Sequence, residues 1–404
     1  MPHGARGPTP RRVETADADV VIAGAGAAGL SLAVRLAERA PHLRVEVLEP
    51  RSAITNDRTF CFFRGPRHPF EAAIARRWDE VEVRHGTRVV RRRLGDKPYE
   101  ELPGGAFHDL ATRLLERAPR TRVTRGVRVT SFTEHANGVE VGTTRGTLRG
   151  KLFVDARGGN ALGHARTEAG EVRWAQHFLG HVVRTERPIF EPTRATLMDF
   201  DVPQEDGPHF VYVLPSSPNE ALVEDTYFSP VPFDRARYQQ NLDAWLARRG
   251  AGQVAIHRSE AGVIPMTTAP KRRCARSRVA VIGQRGGAAK PSTGYAFQFI
   301  QRQAEALAAL IAREGVDAAL PWVPPRSQVA TFYDRVFLSF LHANATRGPE
   351  LFLGLFERVP PESLARFLSE EGGVLDHLRV MNAVPRRGVV AEIARSRRLW
   401  LRSR

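Results

Sequence analysis

Residues 19–49 constrain the fold more tightly than any other stretch. Asp19-Val20-Val21-Ile22-Ala23 is a short, continuous apolar run of the kind a strand buried on both faces requires. Gly24-Ala25-Gly26-Ala27-Ala28-Gly29 follows, then an apolar-periodic helix from Leu30, then a second strand, Val45-Glu-Val-Leu-Glu49. Each part has a physical task in a βαβ unit that holds a dinucleotide. Gly24 permits the tight turn, Gly26 lets a pyrophosphate approach the backbone, and Gly29 lets helix and strand pack closely. Ala27 and Ala28 sit at the helix N-terminus, whose free N–H groups and positive dipole suit phosphate, and Glu49 can accept bonds from a ribose diol. The motif serves NAD as well as FAD. Its position near the N-terminus of a 404-residue chain, with further parts of an FAD fold downstream, favours FAD.

Those parts follow in order. Phe107, Leu110, Leu114 and Leu115 mark one face of a helix, and alternating residues around Val127–Val129, Val139–Val141 and Thr147–Leu148 predict a β-meander turning at Asn137-Gly138 and Arg145-Gly146. Lys151-Leu-Phe-Val-Asp155 is similar to the strand that re-enters the sheet in two-dinucleotide-binding-domain flavoproteins. Arg278-Val-Ala-Val-Ile-Gly283, a Gly-rich loop and a helix from about Phe297 supply a last fragment. The predicted class is α/β: a discontinuous Rossmann-like FAD-binding domain (19–165 plus 277–320) with an inserted antiparallel β-sheet substrate domain (166–276). A C-terminal helical region (321–404) and a mobile Pro/Arg-rich tail (1–18) complete the expected organisation.

Composition excludes several alternatives. The net charge of +16 comes almost wholly from arginine, with lysine only at 97, 151, 271 and 290. Such a skew follows base composition, and no zinc-finger or recognition-helix pattern accompanies it, so no nucleic-acid partner is expected. Two cysteines, Cys61 and Cys274, cannot build a disulfide framework, and a reduced cytoplasm suits them. Scattered histidines give no metal-ligand spacing, so no metal is expected. The longest apolar run, Val20–Val34, falls short of the ~18–20 residues a membrane span needs.

Inside the inserted segment, Leu222-Val-Glu224-Asp225-Thr226 places two adjacent carboxylates directly after an apolar run. Neighbours on a strand face opposite ways, so at most one enters any cavity; a strand end reaching solvent fits the same pattern. Together with Glu260-Ala-Gly262-Val-Ile-Pro265-Met266 and Pro291-Ser-Thr293-Gly294-Tyr295, this segment resembles the bacterial lycopene β-cyclase family, in that order and at similar spacing. Thr193–Phe200 and Leu353–Pro361 also resemble it, so the likeness spans about residues 18–385.

The resemblance implies a flavoenzyme that isomerises the linear ψ-ends of lycopene, or a related carotenoid, to β-ionone rings. A carboxylic acid protonates an alkene, the cation is attacked by a neighbouring double bond, and a ring proton is lost without net redox change. The family needs reduced FAD, for which NAD(P)H is a possible reductant. The resemblance carries the essential acid onto Glu224, with Asp225 as its partner or an alternative base. It places Arg58, Asp155, Gly283, Gly287, Thr293, Gly294 and Tyr295 with the glycine-motif residues at the cofactor, and Phe60, Phe62, Pro265 and Met266 in the substrate pocket.

Two departures stand out: Lys290 replaces the family's His before the loop proline, and Arg58–Phe63 replaces a His- and Trp-bearing stretch. A lysine there favours an anionic reduced flavin. A C40 hydrocarbon substrate implies a protein attached peripherally to the cytoplasmic face of a membrane. The candidate contacts are Phe332, Tyr333, Val336, Phe337, Phe340 and Leu341, Leu351–Phe356, and a basic end containing Arg386–Arg404 and Trp400; the aromatic sets equally suit a bundle core. Two other readings stay open, a monooxygenase or polyene reductase that consumes NAD(P)H stoichiometrically and a flavin- or carotenoid-binding protein without turnover. Oligomeric state is left open.

Overall fold

The structure, a computed structural model, describes residues 16–158, 171–269, 276–321 and 323–384. Cys274 and the basic segment with Arg386, Arg387, Arg395, Arg397, Arg398, Trp400, Arg402 and Arg404 lie outside the described residues.

The βαβ unit forms as its residues dictate. Strand Ala18–Ala23 is flanked by two parallel neighbours, Val45–Glu49 and Gly146–Asp155, and Val20 to Ala23 are wholly buried. It begins one residue before the predicted start, and Asp17 N already donates to Arg149 O. Thr121–Arg125 extends the sheet beyond Val45–Glu49, and Val279–Val281 pairs in parallel with the end of Gly146–Asp155. The N-terminal half of Gly146–Asp155 instead pairs antiparallel with Gly138–Thr143, which pairs with Val129–His135. One strand thus belongs to both the parallel sheet and the meander. Helix Ala27–Arg39 and helix Phe297–Glu314 cover one face, joined by a Gln301 Nε2 to Ser31 Oγ bond of 2.8 Å.

A second sheet has the order Val254–Thr267, Arg173–Thr185, Glu220–Ser229, His209–Pro215, Arg194–Asp199, Glu80–His85, Arg88–Arg93. Its last two strands come from well before the 166–276 segment, and Glu80–His85 pairs in parallel with Arg194–Asp199. The charged repeat Glu80-Val-Glu-Val-Arg has strict period two, yet nothing local says which sheet it joins. Side-chain alternation divides this sheet into two faces. The back face, with Leu179, Val211, Val213 and Val223, packs on Tyr238, Leu242, Trp245 and Leu246 of helix Arg235–Arg248. The front face meets four C-terminal helices, Gln328–Ala343, Gly348–Arg358, Pro361–Leu368 and Val374–Ala383.

A buried charge network pins those helices to the loop before Phe297. Lys290 Nζ lies 2.8 Å from Asp334 Oδ1 and 3.7 Å from Glu370 Oε1. Arg326 pairs with both acids, and Ser292 Oγ donates to Asp334 Oδ1. Two cations therefore face two anions. Burial opposes the charge on Asp334, but Lys290 and Arg326 outweigh it and hold the carboxyl below its ordinary range. Removing one member leaves an uncompensated buried charge, so Asp334→Asn is expected to destabilise the protein by about 3–5 kcal/mol in urea unfolding. A loss under about 1 kcal/mol would show that the network does not hold the helices down.

Candidate active site

One cavity of about 870 Å³ runs between the two sheets. At one end it is lined by Gly24, Gly26, Ala27, Ala28, Glu49 and Arg51, and at the other by apolar side chains of the C-terminal helices. The first end has the shape a dinucleotide needs. Gly24 adopts φ +101°, and a Cβ at Gly29 would sit 1.9 Å from Gly24 O, so neither position admits a side chain without rebuilding the turn. The helix starting at Ala27 has Gly26 as its N-cap and no side-chain cap, leaving its first N–H groups for an incoming anion. Nothing lies within 4 Å of where a Gly26 Cβ would be.

Glu49 closes this end. Ala25 N donates to its Oε2 at 2.9 Å and Arg51 Nε to its Oε1 at 2.7 Å. Burial resists its ionisation, yet these bonds prevail and hold it below the usual carboxylate range. It is therefore an anion ready to accept from a diol. Arg58 also lines the cavity, its guanidinium held by Asp57 at 3.1 Å. Asp155 lies behind the wall instead: it binds Arg157, which does line the cavity, at 2.8 Å, and Arg285 at 3.1 Å. Gly283, Gln284, Thr293 and Tyr295 line the cavity further along, whereas Gly287 and Gly294 do not. Gly294, at φ +73°, has its α-carbon against the second sheet, where a Cβ would meet Gln176 Oε1 at 2.2 Å. This contact brings the Ser292–Tyr295 loop onto the substrate-facing sheet.

The register across that sheet decides the fate of the acid pair. Tyr212, Glu224, Gly180 and Glu260 form one row across four neighbouring strands. Glu224 lines the cavity and is 6% exposed. Burial is the main cause that pushes its carboxyl well above the ordinary range, and the neighbouring Glu260 carboxyl adds to it. Asp225 points the other way and is fully buried against the back helix, hydrogen-bonded to His209 Nε2 and to Asn241 Nδ2 at 2.9 Å. As an alternative base Asp225 is on the wrong side of the sheet; its bonds brace the strand that carries Glu224.

Around Glu224 the wall is aromatic. Tyr212 OH donates to Tyr99 OH at 2.9 Å, and Tyr99 OH to Tyr295 OH at 3.5 Å, with Phe60 and Cys61 close by in the lining. Burial pushes both Tyr99 and Tyr212 well above their ordinary phenol range, so they stay neutral. Thr226 Oγ1, two residues along the same face, is buried with no hydrogen-bond partner among the described residues.

Phe62 stacks on Phe297 in the nucleotide-domain core, and Met266 is fully buried in the cluster under the C-terminal helices. Neither lines the cavity, nor does Pro265; Gly262, Val263 and Ile264 from the same strand do. Phe337, Phe340, Phe352, Leu355 and Phe356 also line it, so these side chains face inward and not toward a membrane. Lys290, engaged with Asp334 and Glu370, shapes the loop and presents no free charge.

A parallel sheet with an uncapped glycine turn, an acid at the second strand and a facing antiparallel sheet together define a two-dinucleotide-binding-domain flavoprotein. Solved structures of this kind share the fold. A geranylgeranyl bacteriochlorophyll reductase-like protein from Thermoplasma acidophilum superposes with a TM-score of 0.61 at 13% identity, over 93% of this chain and 98% of that one. A flavoprotein/dehydrogenase from Cytophaga hutchinsonii gives 0.62 at 13% identity, over 93% and 96%.

Sequence comparison is narrower. Residues 19–394 match the family described as lycopene cyclase protein, and the chain belongs to that enzyme family. Curated relatives include the lycopene beta-cyclases of Pantoea ananas, 26% identical over 93% of this chain and 97% of that protein, and of Paracoccus sp., 27% identical over 91% and 94%.

A carboxyl raised by burial keeps its proton in the native state at pH values where the unfolded chain releases it, and that difference costs stability. The sign follows: below the ordinary carboxylate range it makes no difference, and above it the native state is progressively disfavoured. Glu224→Gln is therefore expected to match wild type in melting temperature near pH 4 and to exceed it by a margin that grows as the pH rises above about 5. The gain is about 1.4 kcal/mol per unit of upward shift. A pH-independent difference between the two melting curves would contradict a protonated Glu224.

Proposed function

We propose that this protein cyclises the ψ-ends of lycopene or a related carotenoid to β-ionone rings, with Glu224 as the proton donor. The observation that carries this reading is one dehydrated carboxyl in the wall of a cavity that reaches from the glycine turn to the apolar side chains of the C-terminal helices. Protonating an unactivated alkene needs an acid that keeps its proton near neutral pH, and burial supplies it at Glu224. Phe337, Phe340, Phe352 and Phe356 suit a polyene, which has no polar group to bind, and they exclude the water that would trap a cation as an alcohol. The hydroxyls of Tyr99, Tyr212 and Tyr295 stay neutral and so add no base to the wall around Glu224. Gly24–Gly29, Glu49, Arg51 and Arg157 fit FAD. Held there and reduced, with NAD(P)H as a possible electron source, FAD would supply negative charge that favours a developing cation.

Expression in lycopene-accumulating bacteria, with pigments resolved by chromatography, tests the activity. Wild type is expected to give β-ringed product, and Glu224→Gln to lower conversion at least about 100-fold while retaining FAD. Conversion by the mutant would remove Glu224 from the mechanism. Consumption of one NAD(P)H per ring would instead favour a reductase or monooxygenase.

We also place the protein on the cytoplasmic face of a membrane, through a surface different from the one the sequence suggested. Among the described residues no helix is long and apolar enough to span a bilayer. Val374, Leu375 and Leu378 are 78%, 60% and 54% exposed on one side of helix Val374–Ala383, whose other residues Val380 and Met381 line the cavity. Val329 is also exposed, and Arg379 is a nearby cation. A polyene leaving the acyl chains there would enter the tunnel past its own helix. Leu375→Glu with Leu378→Glu is expected to abolish co-sedimentation with anionic vesicles and leave bound FAD unchanged. Undiminished sedimentation would place the contact elsewhere.

A further inference from the structure

Glu260 has no part in the reading above, although the fold brings it to the acid. Glu224 and Glu260 sit on strands that flank the central strand Arg173–Thr185 on either side, and both are register partners of Gly180. Two strand gaps separate their backbones by roughly 9–10 Å, so the carboxyls can meet only by leaning over the residue between them. A Cβ at position 180 would lie 2.7 Å from Glu224 Cγ and 3.1 Å from its Oε1. The absent side chain of Gly180 leaves the space into which the Glu224 carboxyl leans, on the row it shares with Glu260, and the Glu260 carboxyl adds to burial in pushing that of Glu224 up. Glu260 is 4% exposed, and its Oε2 accepts from Thr59 Oγ1 at 2.8 Å and from Arg258, whose Nη1 also donates to Asn56 O at 3.0 Å. Donors alone surround that oxygen, an arrangement that suits a carboxylate.

We infer that Glu260 is the positioning partner of Glu224: the two carboxyls share one proton over Gly180, and the charge on Glu260 keeps that proton on the member facing the cavity. The inference rests on the cyclisation reading and deepens it. The proton balance closes without an external acid or any electron transfer. Glu224 gives its proton to the alkene carbon, the C–C bond closes on the cation, and the proton released from the ring returns to the pair. In between, the Glu224 carboxylate faces the cation with the Glu260 carboxylate behind it, and the repulsion between the two favours recapture of a proton by Glu224. Thr226 Oγ1, buried on the same face with no hydrogen-bond partner among the described residues, is available to a group bound alongside the pair.

The other groups facing the pair are Arg258, Cys61 on strand Thr59–Phe63, Tyr99 and Glu101 on strand Tyr99–Pro103, Tyr212 and Tyr295. Burial pushes the thiol and the phenols up, so they stay neutral across the working range. Glu101 is bound to Arg76 at 3.1 Å.

The test is an infrared pH titration of the protonated-carboxyl C=O band in FAD-loaded protein, with Glu224→Gln identifying the Glu224 component. In wild type that component is expected to persist above pH 7. In Glu260→Gln its midpoint is expected to fall by about one pH unit or more, and the alkaline limb of ring formation to fall with it. Gly180→Ala, which adds one methyl between the acids, is expected to lower the midpoint in the same direction and serves where Glu260→Gln loses FAD. Glu260→Asp is expected to recover part of the shift. An unchanged midpoint in Glu260→Gln, or in Gly180→Ala, would overturn the inference. A shifted midpoint in a protein that forms no rings from lycopene would support the shared proton and overturn the reaction assigned to it.

Discussion

The structure depends on keeping one carboxyl dry. Glu224 lies on a strand buried on both faces, Glu220–Ser229, and water is excluded from its front side only while the C-terminal helices remain seated. Those helices are held by apolar packing of Phe340, Leu341, Phe352 and Leu353 and by the four-charge network around Asp334. The network also fixes the loop that bears Tyr295, so the wall of the tunnel and the approach to the dinucleotide cradle are set by the same contacts. On the back, His209 and Asn241 hold Asp225, and through it the register that aims Glu224 forward. Catalytic potential here is a packing property: the same glutamate at an exposed strand end would be an ordinary anion.

The sequence made the first half of this arrangement legible. Gly24–Gly29, the strands around it and Glu49 form a local unit, and local units are readable because turn geometry, helix dipole and apolar periodicity all act within about thirty residues. Glu224 was also legible, through the strand pattern and the resemblance carried by Leu222–Thr226. The alternation rule correctly allowed only one of Glu224 and Asp225 into a cavity, but choosing between them required the register with Arg173–Thr185.

What was not legible was set by pairing over long distances. Glu260 stands 36 residues from Glu224, and only the central strand with Gly180 puts them in one row. Glu80–His85 joins the second sheet through a parallel pairing with a strand over a hundred residues later. Met266 and Phe62 belong to motifs near the site and yet pack in cores, because successive residues on a strand face opposite ways. Phe337, Phe340 and Phe352 gave a helical apolar face that fits a membrane, a bundle or a tunnel equally well. The C-terminal fold decides for the tunnel, and the exposed apolar side falls instead on Val374, Leu375 and Leu378.

The central claim, that an acid of this protein protonates an alkene without net reduction, is most directly tested by the isotope content of the product. In a single turnover, one ring per protein molecule, with protein equilibrated in heavy water and supplied with reduced FAD before lycopene is added, the account predicts one solvent-derived deuterium per ring, on the methylene beside the gem-dimethyl carbon, and no NAD(P)H consumed. Rings formed without solvent deuterium at that carbon would contradict it.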